Sequence, residues 1–158
     1  MEIYLKIEDI KGGVESLGFL DAIKIESLDF SVDGAVDMPD GVSSTPTTLS
    51  GITLTKKVDS SSTSLFRQLC YGGLLSPSKV IISFVQQGPK DKGEEFVQYI
   101  LEDAKLDRYV ISAKSEFPLE TIRLLYRRIT FKYIVFDKEG NKAKPMHTGY
   151  DIDKRQVI

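Results

Sequence analysis

The chain has 158 residues, a length typical of one domain that buries a core without disulfides, so we expect residues 1–158 to form a single domain. Its one cysteine, Cys70, rules out an intrachain disulfide, and a formal net charge of −2 gives no bulk attraction to nucleic acid or to an anionic membrane. The opening MEIYLKIED has too many charges for a signal peptide, and no apolar run of about 18 residues predicts insertion into a membrane.

Charge is distributed unevenly along the chain. Residues 1–59 carry five basic and eleven acidic residues, a net of −6, whereas residues 121–158 carry nine basic and four acidic residues, a net of +5. In the simpler interpretation the two parts neutralise each other within one fold. In the other, they form two faces of opposite sign, which favours head-to-tail self-association.

Alternation of apolar and polar residues predicts strands from the start of the chain. In EIYLKIE, Ile3, Leu5 and Ile7 alternate with polar residues, the pattern of a half-buried strand. The apolar positions change from odd to even near residues 26–27, and they change parity again near residues 127–128. One extra residue in a strand has this effect, so we expect two β-bulges in a mainly β fold, a curved antiparallel β-barrel or two-sheet barrel.

The segment Asp33 to Gly51 shows no clear period. It is rich in Gly, Pro, Asp, Ser and Thr, so we expect a long extended loop. A loop of this length is uncommon inside a compact domain and is usually functional or disordered.

The stretch GITLTKKVDSSSTSLFRQLCYGG predicts a joint between a strand and a helix. ITLTK alternates as a strand does, and Lys56 and Lys57 lie at its end, where solvated charge is common. A flanking helix is predicted over Ser62 to Tyr71, with the Ser62 hydroxyl as N-cap and with Cys70 as a buried thiol on the apolar face.

The two segments SKVIISFVQQ and EEFVQYILEDAKL predict a hairpin around the polar turn GPKDKG. Both are apolar on two faces over part of their length. We therefore expect a helix or a neighbouring subunit to cover them.

Residues that could carry chemistry are few. His147 is the only histidine, and a lone loop histidine is usually solvated. One histidine and one cysteine cannot form a structural zinc site, so we expect no metal, no cofactor and no enzymatic activity. The alternative is a small β-barrel ligand-binding module or enzyme with a site near Arg127, Arg128 or His147.

The predicted joint also resembles the signature of the Hcp family, the haemolysin co-regulated proteins that form the inner tube of bacterial type VI secretion systems. IYLKIEDIKGG, LLYRRITFKYIVFDKEGN and HTGYDIDKRQ resemble that family's first, penultimate and last strands, in the same order. The chain departs from the family at Thr63, where a proline is usual, and at Ala22 and Tyr150, where tryptophans are common. The residues of the joint that fall on the signature are Thr55, Lys56, Lys57, Val58, Asp59, Ser62 and Leu65.

The resemblance implies a structural protein that assembles as a homohexameric ring. Such rings stack into a tube that carries effector proteins in its lumen, is capped by a spike protein and is propelled by a contractile sheath. The subunit would be cytoplasmic before firing and secreted afterwards without a cleaved signal peptide. The family's extended loop packs between successive rings, so we expect a stacking role for the apolar residues of Asp33 to Gly51, which are Val36, Met38, Val42 and Leu49.

Overall fold

The computed structural model describes residues 1–37, 42–75, 79–88 and 93–158, and within them the chain is mainly β with one helix, as its alternation predicts. Side chains are described outside residues 35–46. In chain order the elements are β1 (Glu2–Ile7), β2 (Ile23–Ile25), β3 (Ser27–Asp29), β4 (Val32–Asp37), β5 (Val42–Leu49), β6 (Ile52–Lys57), α1 (Ser62–Cys70), β7 (Val80–Gln87), β8 (Gly93–Glu102), β9 (Lys105–Ser112), β10 (Leu119–Leu125), β11 (Arg128–Tyr133), β12 (Met146–Asp151) and β13 (Gln156–Val157).

Two antiparallel sheets form the body of the molecule. The larger has seven strands in the order β13-β12-β11-β8-β7-β1-β2, and the smaller has four in the order β3-β6-β10-β9. Across the described residues each sheet keeps two edge strands, so the body is the two-sheet form of the expected fold and not one closed, fully hydrogen-bonded barrel.

Both changes of parity mark places where the chain passes from one sheet to the other. β2 ends at Ile25 in the larger sheet and β3 begins at Ser27 in the smaller one. β10 ends at Leu125 in the smaller sheet and β11 begins at Arg128 in the larger one. The expected bulges at these positions are therefore crossings, because a strand that changes sheets must also change the face it turns toward the core. Register shifts of the bulge type lie within the β7–β8 and β9–β10 pairs instead.

The hydrophobic core fills the space between the two sheets. Leu5, Ile82 and Leu101 reach it from the larger sheet, and Leu54 and Leu124 reach it from the smaller one, all fully buried. These residues lie in phase along their strands, which is how period-2 alternation produces one buried face.

The predicted helix is confirmed and closes one end of this core. Leu65 of α1 is fully buried among the core residues. Phe66 and Cys70, one helical turn apart, both lie on the exposed side, so the expected buried thiol is wrong. Gly73 ends the segment at a φ of 79°, and a Cβ there would overlap the carbonyl oxygen of Leu106.

The strand pairs β7–β8 and β4–β5 test two of the sequence predictions. β7 and β8 pair as predicted, although residues 89–92 of their turn lie outside the described residues. Most of the segment Asp33 to Gly51 is taken up by β4 and β5, which pair with each other, so the expected extended loop is wrong; residues 38–41 between the two strands lie outside the described residues. Register shifts on both sides of Ala35 interrupt the alternation, which explains why the sequence shows no period there.

Candidate functional site

The signature residues at the end of β6 lie around a buried lysine. Lys56 was expected to be solvated, yet its side chain is 0% exposed, so that expectation is wrong. It lies in phase with Ile52 and Leu54 on the core face of β6, at the end of the sheet that α1 covers. A buried ammonium group is tolerated only when it is paired and hydrogen-bonded.

Four oxygen atoms surround the Lys56 ammonium. Its Nζ lies 2.6 Å from Oε2 of Glu120 and 3.0 Å from Oδ1 of Asp59. It also donates to the carbonyl oxygen of Lys57 at 2.8 Å and to Oγ of Ser62 at 3.3 Å. The charge of Lys56 is thus neutralised mainly by Glu120, which is also fully buried.

Glu120 connects the lysine to the neighbouring strand and to the helix. Its Oε2 accepts a hydrogen bond from the Ser62 hydroxyl at 2.9 Å, and its Oε1 accepts one from the Tyr109 hydroxyl at 2.5 Å. Partial burial, together with the hydrogen bond to Glu120 and its negative charge, raises the pKa of Tyr109 to about 12. The residues Lys56, Glu120, Tyr109, Asp59 and Ser62 form what we call the buried charge network.

The start of α1 differs from the expected N-cap. Ser61 holds the N-cap position without a side-chain capping bond, and Ser62 is already the first helical residue. The Ser62 hydroxyl accepts from the backbone N–H of Asp59 at 2.9 Å, and Oδ1 of Asp59 accepts from the backbone N–H of Ser61 at 2.8 Å. A carboxylate before the first turn therefore holds the helix start, while Ser62 is directed into the network.

The other signature residues lie in the smaller sheet, in the core or on the surface. Thr55 lies within the smaller sheet between Ser27 and Thr121, and Leu65 fills the core. Lys57 is exposed and its Nζ lies 5.4 Å from the centre of the Phe117 ring. Every buried side-chain N or O atom of the described residues has a hydrogen-bond partner. The arrangement thus fixes strand β6, strand β10 and the helix to one another.

Sequence reasoning missed Glu120 and Tyr109. A signal for Glu120 was present, because it lies in phase with the apolar residues Ile122 and Leu124, just as Lys56 lies in phase with Leu54. Two opposite charges, each in phase with core residues on a different strand, indicate a buried pair.

The alternative site near Arg127, Arg128 and His147 is not assembled. Nε of Arg127 lies 2.6 Å from Asp153, and Nε of Arg128 lies 2.8 Å from Asp151. A hydrogen bond from the backbone N–H of Lys154, followed by that from Arg128, lowers the pKa of Asp151. His147 is exposed and pairs with Lys132 on β11, four residues along the strand from Arg128, which is about 13 Å.

The arginines line a charged cleft of about 420 Å³ at the crossing between the sheets. Its charges balance, with four cations and four carboxylates. Among the described residues no group of three or more His, Cys, Asp or Glu could hold a metal ion, and no described helix has the length and apolar content to cross a membrane. The cleft residues are Lys79, Arg127, Arg128, Lys154, Glu102, Asp103, Asp151 and Asp153.

The residues expected in ring stacking lie on the β4–β5 hairpin or next to it. Leu49 at the base of β5 is half-buried and packs against the core. Val36 and Val42 lie on β4 and β5, but their side chains are not among those described, and Met38 lies outside the described residues. The stacking role of the four residues stays a prediction.

Comparison with known proteins identifies the fold and the family. The model of the family described as "Type VI secretion system effector, Hcp" matches residues 4–133. A comparison with curated protein sequences gives no match.

Solved structures share the fold at low identity. A type six secretion system protein superposes with a TM-score of 0.87 at 18% identity, covering 99% of this chain and 99% of that one. Hcp1 from Salmonella typhimurium gives 0.77 at 20% identity over 99% and 98% of the two chains. Hcp1 from E. coli EAEC 042, as a double tryptophan mutant, gives 0.74 at 19% identity over 96% and 97%. Because the family model spans most of the sequence and the sheets, helix and joint are those expected for that family, the chain belongs to the Hcp family and is a tube subunit of a type VI secretion system.

Proposed function

We propose that the chain assembles as homohexameric rings that stack into a tube with effector proteins in its lumen. A spike protein caps this tube and a contractile sheath propels it. The subunit is held in the cytoplasm before firing and is then secreted without a cleaved signal peptide. Membership of the Hcp family supports this proposal.

The observation that carries the proposal is the hairpin of β4 and β5. In the described residues these strands pair only with each other, and a lone two-stranded hairpin is at best marginally stable in water. Its base is fixed, since the Ser31 N–H donates to Oγ of Ser50 at 2.9 Å and the Tyr126 hydroxyl donates to the carbonyl oxygen of Ser50 at 2.7 Å. A hairpin that is anchored at its base and unsupported beyond it fits a contact with a second subunit, and we assign it to ring stacking.

Size-exclusion chromatography with light scattering tests the ring, and negative-stain imaging tests the tube. We expect a mass near six times the 17.7 kDa of the chain, and stacked rings at high protein concentration. In a host strain that carries the secretion system, the protein should appear in the culture medium only while the sheath is intact. A monomer at all concentrations, or secretion without the sheath, would contradict the proposal.

A further inference from the structure

An apolar groove of about 360 Å³ lies where the core reaches the surface, beside the base of the β4–β5 hairpin. Aromatic rings form its floor, with Tyr99 stacked on Phe131 at 5.0 Å and edge-on to Phe30 at 6.0 Å. Val32 of β4 and Val157 of β13 line it and are 56% and 72% exposed. The groove therefore presents to water an apolar surface that the subunit's own core leaves uncovered.

The segment that leads into β2, the opposite edge strand of the larger sheet, carries projecting apolar side chains. Leu17 and Leu20, in the segment 14–21 between β1 and β2, are 83% and 65% exposed. Phe19 of the same segment packs on Tyr4, with ring centres 4.9 Å apart, and the backbone N–H of Asp21 donates to the carbonyl oxygen of Val14 at 2.9 Å. The two leucines are thus held outward on a fixed segment, which we call the leucine segment.

The two edges also differ in charge. Residues 1–26 carry three basic and six acidic residues, a net of −3, whereas residues 127–158 carry eight basic and four acidic residues, a net of +4. Glu15 is exposed two residues before Leu17, and Arg155 lines a smaller cleft that shares Leu49 with the groove. Within the described part of the chain neither Glu15 nor Arg155 forms an ion pair.

We infer that the groove of one copy receives Leu17 and Leu20 of a second copy of this chain, with Glu15 facing Arg155 across the contact. The inference rests on the proposed function, for which it names the contact within the ring. The two partners use different surfaces, so the contact is head-to-tail, and repeating such a contact closes a ring when the rotation allows it. Burial of exposed leucine and aromatic surface supplies the attraction, and the opposite charges orient the approach.

Two complementary variants test the contact. Leu17→Asp with Leu20→Asp removes the leucine segment's apolar surface, and Val32→Asp with Val157→Asp makes the groove polar. All four side chains are exposed, so we expect both variants to remain folded, which circular dichroism checks. Each variant alone should have the mass of one chain. An equal mixture should have twice that mass and no more, because it restores one intact groove and one intact leucine segment per pair.

Leu74→Asp is the matched control, because Leu74 is 71% exposed after α1, away from both surfaces, and this variant should keep the wild-type mass. Glu15→Arg and Arg155→Glu should each weaken self-association by up to roughly tenfold at low salt, and the double exchange should restore it. Wild-type mass for both aspartate variants, or a mixture that stays monomeric, overturns the contact while leaving ring formation intact. A wild-type chain that stays monomeric overturns this inference together with the proposed function.

Discussion

Lys56 is the residue on which the local arrangement depends most, because it brings a charge into the core. Desolvation of an ammonium and a carboxylate costs several kcal/mol each, and the attraction to Glu120 at 2.6 Å offsets this only while both partners are present. The pair is thus a requirement for holding the helix in place and not a net source of stability.

Replacement of Lys56 by Met should destabilise the fold strongly. The Glu120 carboxylate would then be buried without its cation, a change that costs about 3–5 kcal/mol in the free energy of unfolding. Urea denaturation at one fixed protein concentration measures it, since the apparent stability of an oligomer depends on concentration.

Lys57→Met is the matched control. Lys57 is exposed, and its contact with Phe117 is worth about 0.5–1 kcal/mol at such a site. Adding Glu120→Leu to Lys56→Met should recover most of the loss, because no buried charge then remains unpaired. Equal effects of Lys56→Met and Lys57→Met would show that the pair does not have the importance that we assign to it.

Tyr109 makes the fold sensitive to alkaline pH. Its folded pKa of about 12 lies above the value of about 10 in an unfolded chain. Folding therefore favours the neutral phenol, and the stability this contributes is fully present below pH about 10 and is lost as the pH rises through about 12. Burial also raises the pKa of Tyr126, so that residue adds to the same loss.

Tyr109→Phe should have a lower urea midpoint than the wild type at neutral pH. Its urea midpoint should also decrease less between about pH 10 and 12 than that of the wild type. The lower midpoint follows from the lost hydrogen bond to Glu120, and the shallower fall follows from the removal of one titrating group. Tyr71→Phe, at an exposed position after α1, serves as the control and should fall as the wild type does. Parallel curves for Tyr109→Phe and the wild type would rule out the linkage.

For individual residues, the sequence predicts which face of a strand a side chain lies on better than it predicts which side chain it contacts. The phase of Lys56 with Ile52 and Leu54 was readable, but the ends of strands usually carry solvated charge, and that tendency gave the wrong expectation. Glu120 lies 64 positions away, so its pairing depends on the β6–β10 register, which local patterns do not determine. The exposure of Cys70 is likewise not determined by local pattern, because packing on the sheet determines which side of a short helix is buried.

At the scale of elements, the β4–β5 hairpin is the part most separable from the body. Val32 pairs with Leu49 at its base, so the strands can be joined there by an Asn-Gly turn in place of Asp33 to Thr48. We expect this shortened variant to remain a soluble ring, because Leu49 and the Tyr126–Ser50 hydrogen bond are kept. Tube growth and secretion should fail, because the surface assigned to stacking is gone.

Negative-stain imaging and a secretion assay measure the two effects, and light scattering verifies that the ring persists. A variant of the same hairpin length with Val36 and Val42 both replaced by Ser is the matched comparison. If these apolar residues contribute to stacking, the serine variant should reduce tube growth and secretion, as the shortened variant does. Normal tubes and normal secretion from the shortened variant would refute the assignment.

A crossing between sheets and a β-bulge give the same sequence pattern. A bulge and a passage between sheets both move the apolar face by one residue, and the sequence around 26–27 and 127–128 has the same parity change for either. Only the pairing partners separate the two, since β3 pairs with β6 whereas β2 pairs with β1. The hairpin of β7 and β8 was predictable because its pattern and its polar turn are both local.

At the scale of the whole molecule, one end of the core is closed and the other is open to solvent. α1 and the buried charge network close one end, where Lys56 and Glu120 face each other. At the other end the aromatic groove remains open beside the projecting hairpin. The groove and the hairpin, two of the surfaces that we assign to contact between subunits, therefore lie away from the helix, which leaves α1 to complete the subunit itself.

The charge asymmetry of the whole chain predicts a modest salt dependence of ring formation. Residues 1–59 have a net charge of −6 and residues 121–158 a net charge of +5, so subunits that meet head-to-tail bring opposite signs together. Part of this charge is already paired within the subunit, as in Lys24 with Glu2 and Arg127 with Asp153. The remaining exposed pairs are worth about 0–1 kcal/mol each and are screened by salt, so apolar burial should supply most of the affinity.

Sedimentation velocity over a dilution series at about 0.05 M and about 1 M NaCl measures this dependence, because the screening length falls to about 3 Å at the higher salt. The ring should dissociate at a protein concentration up to roughly tenfold higher in the high-salt series. It should not disappear, since sodium chloride leaves apolar contacts in place. Exchanging exposed lysines at 142 and 144 for glutamate lowers the positive charge of the C-terminal part and should reduce the difference between the two series. Identical dissociation curves at both salt concentrations would show that the opposite charges of the two parts do not contribute to assembly.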